Sequence, residues 1–168
     1  DWFTGANCAT KVGTGVDLAL VAGAGSSSTV ENAFPQGPLA VGLYGYKANY
    51  LGSGAFGASN GACEPLAVVD ANIQITPNGT NPVGATHTFT AHVNVNSGAG
   101  FANAPDGTAI NFNIDSGPGG FTSVNPCVTA GGTGSCTIDL VSNAVGSTVV
   151  SASTTVSVAG VSLTRSTN

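Results

Sequence analysis

Asn72-Ile-Gln-Ile-Thr76, Thr86-His-Thr-Phe-Thr-Ala-His-Val-Asn-Val95 and Thr108-Ala-Ile-Asn-Phe-Asn-Ile114 open the stretch whose reading decides the fold. Gly134-Ser-Cys-Thr-Ile-Asp-Leu-Val141, Ser147-Thr-Val-Val-Ser-Ala-Ser153 and Val161-Ser-Leu-Thr-Arg165 complete it. Many of these segments alternate apolar and polar residues, the period of a strand with one face buried. Gly, Pro and Asn clusters separate them. Short strands at regular intervals predict an antiparallel sandwich over residues 70–168. Phe89, Ala91, Val93 and Val95 share one face of their strand, as do Ile110, Phe112 and Ile114. The two sets are expected to interleave between sheets. Pro105-Asp106-Gly107 is turn chemistry, with Pro fixing φ and Gly accepting a positive one. Gly84, after Pro82-Val83, marks the turn into the long strand.

Upstream, the chain divides near Leu66–Asp70, giving segments 1–69 and 70–168. Strand candidates in the first are Thr14–Val21, Ser26–Glu31, Gly42–Tyr50 and Cys63–Val69. In Gly42–Tyr50, residues Tyr44, Tyr46, Ala48 and Tyr50 share a face that is expected to be buried, with hydroxyls near the rim. Leu43, Gly45, Lys47 and Asn49 form the other face. No apolar period of 3.6 persists, so no helix beyond a turn or two is expected. The first segment is too short for a free-standing sandwich of about 100 residues. It reads as incomplete, exposing an edge and an apolar groove that a strand from outside would fill. Ala67–Ala71 is short and apolar, a linker expected to limit swing between domains.

Composition narrows the function classes. Charged residues are 7% of the 168, and the net charge is −5. Disorder is excluded by a 42% hydrophobic share arranged periodically. Three Lys and Arg without a cluster argue against nucleic acid and anionic membrane surfaces. No apolar run reaches the ~18 residues of a membrane span. The chain starts at Asp1 and contains no Met, which reads as a piece of a longer precursor.

Four cysteines allow three pairings. Cys8–Cys63 and Cys127–Cys136 keep each bond within one domain, and the second is expected to join adjacent strands or a strand and its loop. With no C-x-x-C and only two His, zinc is unsupported. Intact disulfides imply an extracytoplasmic setting.

The second segment resembles the bacterial Ig-like repeats of large surface proteins, the invasin- and intimin-type group. The resemblance rests on Asp70-Ala-Asn-Ile-Gln-Ile-Thr-Pro77, Val83-Gly-Ala-Thr-His-Thr-Phe-Thr-Ala91, Pro105-Asp-Gly-Thr-Ala-Ile-Asn-Phe112, Gly134-Ser-Cys-Thr-Ile-Asp-Leu140 and Val161-Ser-Leu-Thr-Arg-Ser-Thr167. The first segment looks like the tail of a second, divergent repeat. The resemblance implies two tandem Ig-like β-sandwich domains, the first incomplete, in a stalk-forming array. It also raises calcium at the domain joint, held by Glu64, Asp70, Asn72 and Asp106; ordinary solvated acids are the favoured reading, because calcium needs six to eight oxygens.

Other chemistry is thin. His87 and His92 are five apart on one strand and point to opposite faces, so they cannot share a metal. No G-x-S-x-G elbow and no close acid pair is present, and no catalytic residue is nominated. Lys47 raises an intramolecular Lys–Asn cross-link, but it falls on the polar face. Asn78-Gly79-Thr80 is one glycosylation triplet in a turn. Gly23–Ser28 has glycines without a following helix, so phosphate binding is unsupported. The leading expectation is a non-enzymatic extracellular spacer. The alternatives are a fibre subunit completed by strand exchange between copies, and an adhesin module using Trp2, Phe3, Phe56 or Phe101.

Overall fold

The computed structural model describes residues 1–13, 21–22, 28–29 and 38–167. Among them every regular element is a strand. The chain forms two compact units, Asp1–Val68 and Val69–Asn168.

Unit 1 contains β1 (Trp2–Thr4), β2 (Thr10–Gly13), β3 (Val21–Ala22), β4 (Ser28–Thr29), β5 (Gly42–Tyr46), β6 (Asn49–Tyr50), β7 (Ser59–Asn60) and β8 (Glu64–Val68). Four of these make an antiparallel sheet in the order β2-β1-β5-β8, while β3–β4 and β6–β7 are separate pairs. The expected strands Thr14–Val21 and Ser26–Glu31 lie almost wholly outside the described residues; Val21 and Ser28–Thr29 are the parts seen. β5 departs from expectation. Tyr44, Tyr46 and Tyr50 are only half-buried, and the buried position of the strand is Gly45, on the opposite face. The reason is covalent. The Cys8–Cys63 bond lies over that face, and a Cβ on Gly45 would come 2.7 Å from the Cys8 sulfur and 3.0 Å from the Cys63 sulfur. Glycine is required there because the sulfurs occupy the space.

Unit 2 contains β9 (Asp70–Thr76), β10 (Thr86–Asn96), β11 (Phe101–Asn103), β12 (Ala109–Ser116), β13 (Gly120–Phe121), β14 (Cys127–Val128), β15 (Ser135–Val141), β16 (Val149–Val158) and β17 (Val161–Ser166). One sheet runs β11-β10-β15-β13, with β9 on the free side of β10; the other runs β14-β12-β16-β17. Inward residues of both sheets meet in one core, where Ile73, Ala91, Val93 and Ile138 face Ile110, Phe112 and Ala152. Ile110 and Ile138 are 0% exposed, so each contributes roughly 1.5–3 kcal/mol by burial. The alternation that marks these strands in the sequence is therefore the alternation of the core. Gly107 turns the chain before β12 with φ 89°, as the Pro-Asp-Gly triplet requires.

Two expectations need correction. Cys127–Cys136 has a Cα separation of 5.9 Å, but β14 and β15 belong to different sheets. The bond joins the two layers, not neighbours in one ladder. The supposed linker Ala67–Ala71 is mostly strand: β8 ends at Val68 and β9 begins at Asp70, with Val69 alone between them.

Candidate functional site

The two sheets of unit 2 are tied differently along their length. At one side Cys127–Cys136 binds layer to layer. On the other side β9 and β17 meet. There Arg165 donates from Nε to the Ala71 carbonyl at 2.8 Å and from Nη2 to Asp70 Oδ1 at 2.6 Å. The Asp70 carboxyl is held below the usual carboxylate range, first by the Arg165 hydrogen bond, then by the Ala71 N–H. Farther along, the β9 ladder runs out, since β9 pairs only with Thr90–Asn96 of β10. A groove of ≈ 1110 Å³ opens between the sheets at this end.

Its apolar floor draws on both layers, with Ile75, Phe89 and Leu140 from one and Val150 from the other. Segments Asn78–Val83 and Ala144–Thr148 form the rims. Val83 (53% exposed), Val145 (88%) and Val149 (50%) stand at the mouth. No Asp, Glu, Lys or Arg lines it among the described residues. The strand pattern creates this surface directly: inward residues keep their apolar character to the end of each strand, beyond the point where the neighbouring strand stops.

One rim is pinned by His87. Its Nδ1 lies 3.0 Å from Asn81 Oδ1 and its Nε2 lies 3.0 Å from the Pro77 carbonyl. The Asn81 amide is oriented by Nδ2 donating to the Thr86 carbonyl at 2.9 Å. The imidazole packs edge-on against Phe89 at 4.5 Å. His87 thus fastens the segment leading into β10 to the groove floor, a role the sequence did not suggest.

The other candidate residues scatter. Glu64 is exposed on β8. Asn72 accepts a bond from Asn94 at 3.3 Å, and Asp106 Oδ1 accepts the Gly132 N–H at 2.8 Å. With Asp70 bound to Arg165, three of the four proposed calcium oxygen donors already serve protein partners. No group of three or more His, Cys, Asp or Glu could hold a metal among the described residues. His92 faces Asn103 at 3.0 Å, away from the groove. Asn78 is exposed on the rim. Lys47 exchanges main-chain bonds with Asp1.

Phe3, at 8% exposure, is a core residue and not a ligand contact. Trp2 is half-buried, stacked over Gly13 and 6.0 Å from Tyr44. Phe56 and Phe101 are exposed, at 74% and 53%. Cys8–Cys63, with a Cα separation of 5.9 Å, completes the pair of disulfides. The groove itself has no motif in the sequence. Its only trace there is apolar residues, such as Val83 and Val145, in segments otherwise made of turn residues. Set against known protein families, curated proteins and solved structures, the chain matches none of them.

Proposed function

We propose that this chain is a non-enzymatic structural module of an extracytoplasmic protein, acting as a spacer of two Ig-like β units. The observation that carries the reading is the continuity at Val68–Asp70. One residue separates the last strand of unit 1 from the first strand of unit 2, so tension along the chain passes from sheet to sheet with no loop to extend. Two cross-linked pairs support an oxidising compartment. The resemblance to surface-protein repeats points to a bacterial cell surface or secreted array. The low charge and hydroxyl-rich strands suit a surface that holds position without binding ions or polyanions.

Single-molecule stretching tests this. A tethered chain should show a discrete unfolding event for unit 2. Reduction should release the 55-residue Cys8–Cys63 span, adding about 190 Å of contour at ~3.5 Å per residue. A chain that extends smoothly at low force would overturn the spacer reading.

A fibre subunit is the second reading. It is favoured by Leu43 and Leu66, 38% and 39% exposed on the unit 1 sheet. Pro65, on edge strand β8, weighs against strand addition at that edge. Concentration-dependent assembly in light scattering would choose the fibre.

A further inference from the structure

Three places in the chain set a glycine directly after an Asn or Asp: Asn60-Gly61, Asn78-Gly79 and Asp106-Gly107. Such a pair has a chemistry of its own. Glycine has no side chain to hinder its amide nitrogen, and its backbone takes conformations that other residues avoid. The nitrogen can therefore reach the side-chain Cγ of the residue before it and close a five-membered ring. Asn60, Asn78 and Asp106 are all exposed, so exposure does not tell them apart.

Hydrogen bonds do tell them apart. Gly61 donates its N–H to the Ala48 carbonyl at 2.9 Å, and Asn60 is paired with Asn49 across β6 and β7. Gly107 donates its N–H to the Thr129 carbonyl at 2.9 Å, and Asp106 Oδ1 accepts the Gly132 N–H. In both pairs a carbonyl holds the nitrogen that would attack. Asn78-Gly79 lies between β9 and β10, outside any strand. Among the described residues nothing accepts the Gly79 N–H, and nothing binds the Asn78 side-chain amide.

Packing imposes the glycine at this place. A Cβ on Gly79 would come 2.6 Å from His87 Cε1 and 3.1 Å from Nδ1. The imidazole that pins the rim thus leaves room only for glycine at position 79. The same contact that fastens the segment therefore keeps the reactive pair in it.

We propose that Asn78 is a self-modifying site, converted to aspartate and isoaspartate in the folded chain while Asn60 is held back. The Gly79 nitrogen gives its proton to solvent and attacks Asn78 Cγ. The N–Cγ bond forms, the Cγ–Nδ2 bond breaks, and Nδ2 takes a proton from water and leaves as ammonia. The product is a succinimide. Water then opens the ring, at one carbonyl to aspartate and at the other to isoaspartate. One water enters, one ammonia leaves, and nothing is oxidised or reduced. Either product puts a carboxylate on a rim that has no Asp, Glu, Lys or Arg among the described residues. Isoaspartate also adds a methylene to the main chain beside Gly79, which shifts that glycine against the His87 ring. This proposal stands independently of the spacer reading.

The test incubates the full 168-residue chain at mildly alkaline pH and follows each site by peptide mapping with mass spectrometry. Asn78 should convert on the order of tenfold faster than Asn60, the factor that one hydrogen bond on the attacking nitrogen supplies. In the reduced, denatured chain the two Asn-Gly pairs should convert at similar rates, because the bond to Ala48 is gone. Asn78→Gln, at an exposed position, should leave the fold intact and stop the conversion there, since the longer side chain must close a larger ring. The His87 ring signals in NMR should move as the parent converts and stay in place in the Asn78→Gln chain. Equal rates at Asn78 and Asn60 in the folded chain would overturn the proposal. So would conversion of Asn78 that is at least tenfold slower folded than denatured. His87 signals that stay fixed once Asn78 has converted would overturn its effect on the rim.

Discussion

In unit 2 the space between two sheets is filled by Ile73, Val93, Ile110, Phe112 and Ile138. In unit 1 the buried hydrophobic residue among those described is Phe3, and the sheet face beside it is covered by the Cys8 and Cys63 sulfurs over Gly45. The same chain thus uses two devices to hold strands. Where interleaved side chains supply enough apolar burial, a disulfide is an added tie between layers. Among the described residues of unit 1, the disulfide and its glycine fill a sheet face beside Phe3, the kind of tie small units use. The difference shows in what each cross-link spans: 55 residues in unit 1 and nine in unit 2.

Removing the cross-links breaks the comparison most directly. Closing a loop restricts the unfolded chain more when the loop is longer. The chain-entropy relation gives about 4 kcal/mol for Cys8–Cys63 and about 2.5 kcal/mol for Cys127–Cys136. Trp2, the one tryptophan, reports on unit 1. The pair Cys8→Ser with Cys63→Ser should abolish its cooperative fluorescence transition in denaturant, while unit 2 keeps a cooperative circular-dichroism melt. Equal losses from the two disulfide knockouts would end the distinction. Next in size is the core itself. Ile110→Ala removes a fully buried side chain, costing about 3 kcal/mol. It should shift the unit 2 melt and leave the Trp2 transition in place. Gly45→Ala is the counterpart in unit 1. Its Cβ would meet both sulfurs and the Gly5 carbonyl at 3.1 Å, so overpacking should cost roughly 1–3 kcal/mol. A neutral Gly45→Ala would show that the disulfide does not seal that face.

The comparison also explains what could be read from the chain. β9, β10, β12 and β15 were legible because their alternation carries an inward apolar face; β17 shows the same alternation in Val161 and Leu163, though neither is buried. β16 runs on to Val158, well past the expected Ser153, because Thr154 is a polar residue in an inward position. Its hydroxyl donates to the Ala109 carbonyl at 2.8 Å, and that partner lies 45 residues away. β11, β13 and β14 have two or three residues each, too few to show a period; their partners define them. The tyrosine face of β5 misled for a related reason, since Gly45 reads as a gap until the disulfide above it is known. The groove is legible only in part. Its apolar floor follows from alternation, but its rim depends on where β9 stops and on the contacts of His87 with Asn81 and Pro77. Neither is a property of the apolar pattern.

The smallest expected effect concerns the clasp that closes unit 2 opposite its disulfide. Asp70 and Arg165 are bonded at 2.6 Å but remain 37% and 36% exposed. Solvent screening therefore limits the pair to about 0.5 kcal/mol, and at most about 1. The Arg165 hydrogen bond holds the Asp70 carboxyl below its ordinary value in the folded chain. A carboxyl with a depressed folded pKa binds its proton more readily once unfolded, so its contribution is complete above the unfolded value, about 3.9. It is lost as pH falls from there through the folded value. Asp70→Asn keeps an oxygen for the Ala71 N–H and removes the charge. The variant should be slightly less stable than the parent at neutral pH, and the gap should close as pH falls through the depressed folded value. High salt should shrink the same gap, since the pair is exposed. The unit 1 transition, followed by Trp2, should not respond to Asp70→Asn, because both partners of the clasp lie in unit 2. A gap that persists unchanged in acid would mean that Asp70 acts through its backbone turn and not through its charge.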